Sequence, residues 1–328
     1  MFDAAVSLSS DQITIAVTAY DRRGFIAQAI ESALNQTVPV QVMVVENCGP
    51  DADLRGFVMG KFGSRLEYHR NTQPRSMFGN WNACLEYCRT PWLSILHDDD
   101  FLAPGFVAAM LALHQELPGR GLYFGHSVIV DKTGRPLPTS LRASPDFKLR
   151  IVELHQALYG TPFLFPGQLF QAEAARAAGG FRATSQFCGD WEMWAKLIAR
   201  KRAAETAETV AFYRRHASAT TDQIVCAGRQ VPLTYVQHKR VLHLLREAGQ
   251  PVRFDRIQFQ ARSPLPTRFL VRHGDKLSPH LLAYHVRLFL LSRPPHWRYG
   301  LLQTLTRWLR GAAFIKVLSK AANCLSRT

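Results

Sequence analysis

No Cys-x-x-Cys pair occurs among the six cysteines, Cys48, Cys84, Cys88, Cys188, Cys226 and Cys324. Their scatter fits neither a zinc knuckle nor a dense disulfide framework, so they read as reduced packing residues. The opening MFDAAVSLSSDQ has no basic run followed by an apolar stretch, which argues against a secretory signal and for a cytosolic protein. Internal repeats and low-complexity tracts are absent. The leucine-rich stretch 277 to 291 is too short and too charged to span a bilayer. Acidic residues are scarce in one place only. Residues 229–328 hold 18 Lys and Arg against 3 Asp and Glu, whereas residues 1–228 hold 22 of each, so the whole net charge of +15 lies in the tail. With 47% hydrophobic residues over 328 positions, the chain can bury a full core, and disorder is excluded as the default.

What is present is an alternation of strands and helices. Ile13–Val17 is a short run rich in β-branched residues, and Ile26, Ala29, Ile30, Ala33 and Leu34 then follow at helical spacing. Val40–Val45 is a second buried strand ending at Glu46-Asn47-Cys48-Gly49. Leu66–His69 is a weaker third, 77 to 88 reads as a helix, and Trp92–Leu96 is a fourth strand ending in His97-Asp98-Asp99-Asp100. A helix started by Pro104, a long strand Leu122–Val130, a turn at Asp131–Gly134, helices near 171–178 and 190–201, and a strand Val210–Tyr213 complete the pattern. The polar, proline-bearing stretch 135–150 is expected to be a loop over the site. The fold class is therefore α/β, a mainly parallel sheet covered on both faces, with ligands beyond the carboxyl ends of its strands. Near residue 228 the pattern changes to basic, Leu- and His-rich helices, which sets the expected boundary between a domain at 1–228 and an extension at 229–328.

The acidic residues fall at those strand ends. Three consecutive carboxylates after a buried strand repel one another unless a cation, Arg or Lys neutralises them. Alternate residues Asp98 and Asp100 can point to one side, and oxygen ligands favour Mg²⁺ or Mn²⁺ shared with substrate phosphates. An acidic turn capping the helix near Pro104 is the competing reading.

Taken in order, these segments resemble family 2 glycosyltransferases of the GT-A, Rossmann-like fold. Val17-Thr-Ala-Tyr-Asp-Arg22 is similar to that family's opening strand and turn, and Ala29-Ile-Glu-Ser-Ala-Leu-Asn-Gln-Thr37 to its first helix. Val44-Val-Glu-Asn-Cys-Gly-Pro-Asp51 is similar to its nucleoside-binding turn, and Leu96-His-Asp-Asp-Asp100 to its metal motif. Gly179-Gly-Phe181, Gly189-Asp-Trp-Glu-Met-Trp194 and Tyr213-Arg-Arg-His216 are similar to its acceptor-side signature. The resemblance covers roughly residues 12 to 220. It implies an inverting sugar transferase of the kind that builds bacterial polysaccharide or lipopolysaccharide. The donor would be a nucleotide-diphosphate sugar and the acceptor a hydroxyl of a glycan or lipid-linked molecule.

Carried over residue by residue, the resemblance puts Thr18, Tyr20, Glu46 and Asn47 on the nucleoside. It puts Asp98 and Asp100 on the metal, with His216 reaching the metal or diphosphate, and Asp99 on the sugar or a basic partner. The resemblance makes Asp190 the catalytic base. Arg75, Arg214 and Arg215 are candidate phosphate clamps because a guanidinium grips phosphate through two hydrogen bonds, with a solvated surface arginine the competing reading for at least one of them. Two departures stand out. Asn47 replaces an Asp common at the base-reading position, and Gly189 replaces the Glu usual before the base, which leaves Glu192 as a substitute carboxylate and a catalytically silent donor-binding module as a rival reading. Asp190 could also cap its helix.

In the tail, Leu301, Leu305, Trp308, Ala312 and Ile315 share one helical face opposite Arg307 and Arg310, the pattern of an interfacial helix. Segment 277–328 is thus expected to dock on an anionic membrane surface from the cytoplasmic side, against the alternative of packing on protein. Nucleic acid is not expected as a partner, because the aromatics sit with leucines rather than in a basic stacking array. Oligomerisation is left open.

Overall fold

The computed structural model describes residues 8–138, 147–158, 160–216, 219–226 and 230–252. Its first half alternates strand and helix: β1 (Ile13–Ala19), α1 (Arg23–Leu34), β2 (Gln41–Glu46), α2 (Leu54–Phe62), β3 (Glu67–Arg70), α3 (Met77–Tyr87) and β4 (Trp92–His97). These four strands are parallel, in the order β3-β2-β1-β4. Then come β5 (Phe101–Leu102), α4 (Phe106–Glu116), β6 (Leu122–Val130), β7 (Leu149–Val152), α5 (Leu154–Ala157), β8 (Gln168–Gln171), α6 (Ala172–Ala177), α7 (Gly189–Lys201) and β9 (Ala203–Arg214). The sheet continues β4-β8-β6-β9-β5, with β7 also on β9. β6 and β9 pair in parallel, while β8, β5 and β7 enter antiparallel.

Both faces of the sheet are covered, so its central strands read as unbroken apolar runs rather than alternating ones. Side chains along a strand point to opposite faces. Ile13, Ile15, Val17 and Ala19 of β1 accordingly share one core with Ile26 and Ile30 of α1, Val58 of α2 and Met110 of α4. Ala16 of the same strand joins Met43 and Val45 of β2 in the opposite core, against Trp81 of α3, Ala175 of α6 and Trp194 of α7.

Two compact units emerge. The first joins residues 1–216 with 243–250, and the second comprises 217–242 and 251–328. The described part of the second holds α8 (Thr220–Cys226) and most of α9 (Gln230–Glu247). Among the described residues no helix is long and apolar enough to cross a membrane. The segment 277–328, to which membrane docking is ascribed, lies outside the described residues, as do 139–146 of the stretch read as a loop.

Candidate active site

The register of the parallel strands brings the expected residues to one edge. Thr18 lies beside Val45 and His97, and Ala19 beside Glu46, which in turn lies beside Arg70. Each chain leaves the sheet one residue later, so Tyr20, Asn47, Asn71 and Asp98 all stand just past the carboxyl ends of adjacent strands. That edge is where the open α/β architecture places ligands.

On the β2–β3 side the groups are engaged with one another. Asn47 is buried; its Oδ1 accepts from the Arg75 backbone N–H at 2.8 Å and from Asn71 Nδ2 at 3.1 Å, while its Nδ2 donates to the Arg75 carbonyl at 2.8 Å. Asn71 passes the network to Asn80 at 2.8 Å. Glu46 is fully buried, accepts from the Tyr68 hydroxyl at 2.7 Å and lies 3.4 Å from Arg70 Nε. Burial and that carboxylate push the Tyr68 phenol well above its ordinary range. Gly49 is required here, since a Cβ would stand 1.6 Å from the Tyr20 carbonyl oxygen. Tyr20 is 46% exposed, so its ring can stack on a planar ligand. Thr18 Oγ1 lies 3.5 Å from the Leu96 carbonyl. Arg75, expected on a phosphate, directs its guanidinium to Glu86 of α3, with Nη1 at 2.8 and 2.9 Å from the two carboxylate oxygens.

On the β4 side three carboxylates are buried together. Asp98 takes Arg22 Nη1 at 2.8 Å and the Tyr20 backbone N–H at 3.2 Å. Asp99 Oδ2 takes His216 Nε2 at 3.0 Å and lies 3.5 Å from Arg22. Asp100 Oδ1 accepts the Arg214 backbone N–H at 2.8 Å, while Oδ2, 3.6 Å from His97 Nδ1, has no hydrogen-bond partner among the described residues. Burial raises the Asp98 carboxyl and pushes Asp100 up to about 6. Asp99, equally exposed to burial, is held below its ordinary value by His216 and Arg22. His97 packs in one aromatic cluster with Trp81 and Phe165, at 5.2 and 4.2 Å between centroids. Burial alone would lower its imidazole, but Asp100 wins and raises it.

One group among the described residues can converge on a cation: His97, Asp99 and Asp100, with ligand atoms within 4.8 Å of one another. Oxygen donors and the unpartnered Asp100 Oδ2 suit a hard divalent cation. The arrangement shifts the cluster by a residue from the Asp98–Asp100 pairing expected from alternation, because Asp98 turns toward Arg22. Sequence reasoning left His97 out, although it stands within the same motif.

Arg214, read from sequence as a phosphate clamp, is 2% exposed and holds the framework instead. It donates to the Asp99 and Lys132 carbonyls and to Gln28 Oε1 at 2.6 to 2.9 Å, between the rings of Phe25 and Phe101.

Asp190 opens α7. Cys188, with φ of +54°, caps the helix by backbone alone, so Asp190 is inside the first turn rather than at the cap. Gly189 has no room for the expected Glu, since even a Cβ would meet the Phe78 ring at 2.7 Å. Trp191 and Trp194 are both buried and fix the rotation of the helix. Burial pushes Asp190 up to about 6 against the pull of the helix N-terminal N–H groups and of His97. Glu192, the substitute carboxylate, is buried against Arg182 Nε at 3.1 Å and Lys196 Nζ at 2.9 Å.

The sheet and its strand edge have the GT-A fold. The family model described as Glycosyl transferase family 2 matches residues 14–170, a segment that ends before Asp190. Among curated proteins it is 26% identical over 239 residues to the uncharacterized protein MT1568 of Mycobacterium tuberculosis (strain CDC 1551 / Oshkosh), covering 69% of this chain and 74% of that one. Among solved structures it is similar to S. aureus TarS 1-349 in complex with UDP-GlcNAc, at 12% identity and a TM-score of 0.54, covering 84% of this chain and 71% of that one. It is also similar to the mannosyltransferase PcManGT from Pyrobaculum calidifontis in complex with GDP-Man and Mn²⁺, at 16% identity and a TM-score of 0.55, covering 97% and 89%. At such identities these two structures establish a shared fold.

Proposed function

We propose that the protein transfers a sugar, with inversion, from a nucleoside-diphosphate donor to a hydroxyl of a glycan or lipid-linked acceptor, dependent on Mg²⁺ or Mn²⁺. The observation that carries this reading is the convergence of His97, Asp99 and Asp100 on the strand edge beside a carboxylate, Asp190, whose pKa is raised to about 6. Two structural neighbours bind UDP-GlcNAc or GDP-Man with Mn²⁺, which supports the donor class.

Asp99 and Asp100 would hold the cation with His97; Asp98 and His216 would join only by giving up Arg22 and Asp99 respectively. When bound, the cation supplies charge neutralisation for a departing diphosphate. Asp190 takes the proton of the acceptor hydroxyl as its oxygen attacks the anomeric carbon. The bond from that carbon to the diphosphate oxygen breaks and its electron pair leaves with the nucleotide. A base with a pKa near 6 is deprotonated at neutral pH yet basic enough to share the proton in the transition state. Tyr20 would stack on the base of the nucleotide. The Glu46–Asn47 turn would shape the pocket rim, Asn47 acting through the 71–75 loop that it holds.

A second reading, a donor-binding module without turnover, draws on the closure of Asp98 by Arg22. Donor turnover with Mn²⁺ separates the two. Metal-dependent release of nucleoside diphosphate, lowered about 10²–10⁴-fold in Asp190→Asn, is expected for a transferase with this base. No release with any UDP- or GDP-sugar would favour the module.

The tail supports the acceptor class by its charge. Each basic residue near an anionic leaflet contributes on the order of 1 kcal/mol, so 277–328 would hold the enzyme at a membrane carrying lipid-linked acceptors. Co-sedimentation with phosphatidylglycerol vesicles should be lost on deleting that segment.

A further inference from the structure

Arg22 is the residue before α1, yet its side chain makes no cap to that helix. Its Nη1 lies 2.8 Å from Asp98 and 3.5 Å from Asp99, and among the described residues its guanidinium forms ion pairs with no other group. The other groups that meet this acidic turn are fixed in place. Arg214 is locked by three side-chain hydrogen bonds and two rings, His97 packs against two more, and the His216 side chain is 6% exposed beside Phe25. The Arg22 side chain is 21% exposed, and only one of its three nitrogens is used. It is a cation on two site carboxylates that can leave without unpacking a core.

A guanidinium released there would stand beside the diphosphate, whose paired oxygens match its fork. We propose that Arg22 is the resident counter-ion of the site: it holds Asp98 and Asp99 until a divalent cation takes their oxygens, then turns to the donor's diphosphate. This rests on the metal-dependent donor reading above. Cation and Arg22 compete for the same carboxylates, and the diphosphate draws Arg22 away. The cation and the nucleotide must therefore strengthen each other's binding, by the same factor in either order. Removing the charge uncouples them with opposite signs. The bare site gains affinity for the cation, and the nucleotide loses a partner. A residue needed only for folding would weaken both.

The test titrates Mn²⁺ into the full chain by electron paramagnetic resonance, alone and with UDP or GDP, and titrates the nucleotides at saturating Mn²⁺ by calorimetry. Arg22→Gln should bind Mn²⁺ alone about tenfold tighter, since a positive charge within salt-bridge distance is removed, and the nucleoside diphosphate about tenfold weaker. Lys61→Gln should change neither, because Lys61 pairs with Glu31, and neither residue belongs to the strand-edge site. Should Arg22→Gln melt too low to titrate, Arg22→Lys carries the same test. It should hold Mn²⁺ affinity within about threefold while the loss of the bidentate fork weakens the nucleotide several-fold. Unchanged Mn²⁺ affinity in Arg22→Gln, or parallel weakening of both ligands in either variant, overturns the counter-ion role and leaves the metal-dependent reading standing. Absence of Mn²⁺ binding in wild type and variants alike overturns both.

Discussion

The two halves of the strand edge differ in how they are satisfied. Beyond β2 and β3, Asn47, Asn71 and Asn80 close a neutral amide network through hydrogen bonds of 2.8 to 3.3 Å that engage every side-chain amide atom of the three except Asn71 Oδ1, which has no partner among the described residues. Beyond β4, three buried carboxylates face Arg22, His97 and His216. An amide network with its bonds made resists exchange, because each buried group that loses its partner is left desolvated. Ion pairs at a half-open edge can swap one cation for another at little net cost. The first half is built to hold a shape, and the second to trade partners.

The contrast breaks most sharply at Asp100. Asp100→Asn should lower metal-dependent turnover by about 10²–10³-fold, the size of effect expected when metal-borne charge stabilisation is lost. It should also erase any rise in Tm on adding Mn²⁺, whereas variants in the amide network should keep that rise; a preserved Mn²⁺ response in Asp100→Asn would count against the acidic turn as the cation site. The pH dependence comes next. Asp190 must be deprotonated to accept a proton, and its carboxyl is pushed up to about 6. At saturating Mn²⁺, kcat/KM should therefore climb tenfold per pH unit below about 6 and level off above it. An inflection in the ordinary carboxylate range would remove Asp190 from the role.

Smaller effects sharpen the other half. Gly49→Ala drives a methyl group into the Tyr20 carbonyl and should destabilise the fold by about 2–3 kcal/mol in urea, the upper range for overpacking. Asn47→Ala leaves the Arg75 N–H without its acceptor, for about 1–3 kcal/mol. It should cost nucleotide affinity with the Mn²⁺ response intact. A stability loss at Asn47 with unchanged nucleotide affinity would confine that residue to the framework.

Much of the fold was legible because it is local. The strand at 122–130, the helices at 77–87 and 189–201 and the acidic turn follow from apolar period and strand-end punctuation. The strands at 149–152 and 168–171 were not legible, being four residues each and stabilised by pairing with β9, β6 and β4 rather than by any pattern of their own. The early part of β9 was likewise hidden, since Ala203–Glu208 is made of alanine, glutamate and a single β-branched residue, Thr206; its pairing with β6 and β7 makes it a strand.

In the site, the sequence alone determined which chemistry was available: carboxylates at 98–100, an aspartate at 190, a tyrosine and an asparagine at two strand ends, and a basic tail. Motif order tied them to one family. Tertiary structure decided how they are shared out. Arg22 meets Asp98 because β1 and β4 are neighbours in a sheet whose order departs from the chain's. Arg75 turns to Glu86, Arg214 becomes a buried strut, and Phe78 occupies the space a side chain at 189 would need. A residue's type fixes its charge and reach. Its partner is set by whichever groups folding brings within a few ångströms, and strand order and helix rotation are settled by the whole core at once.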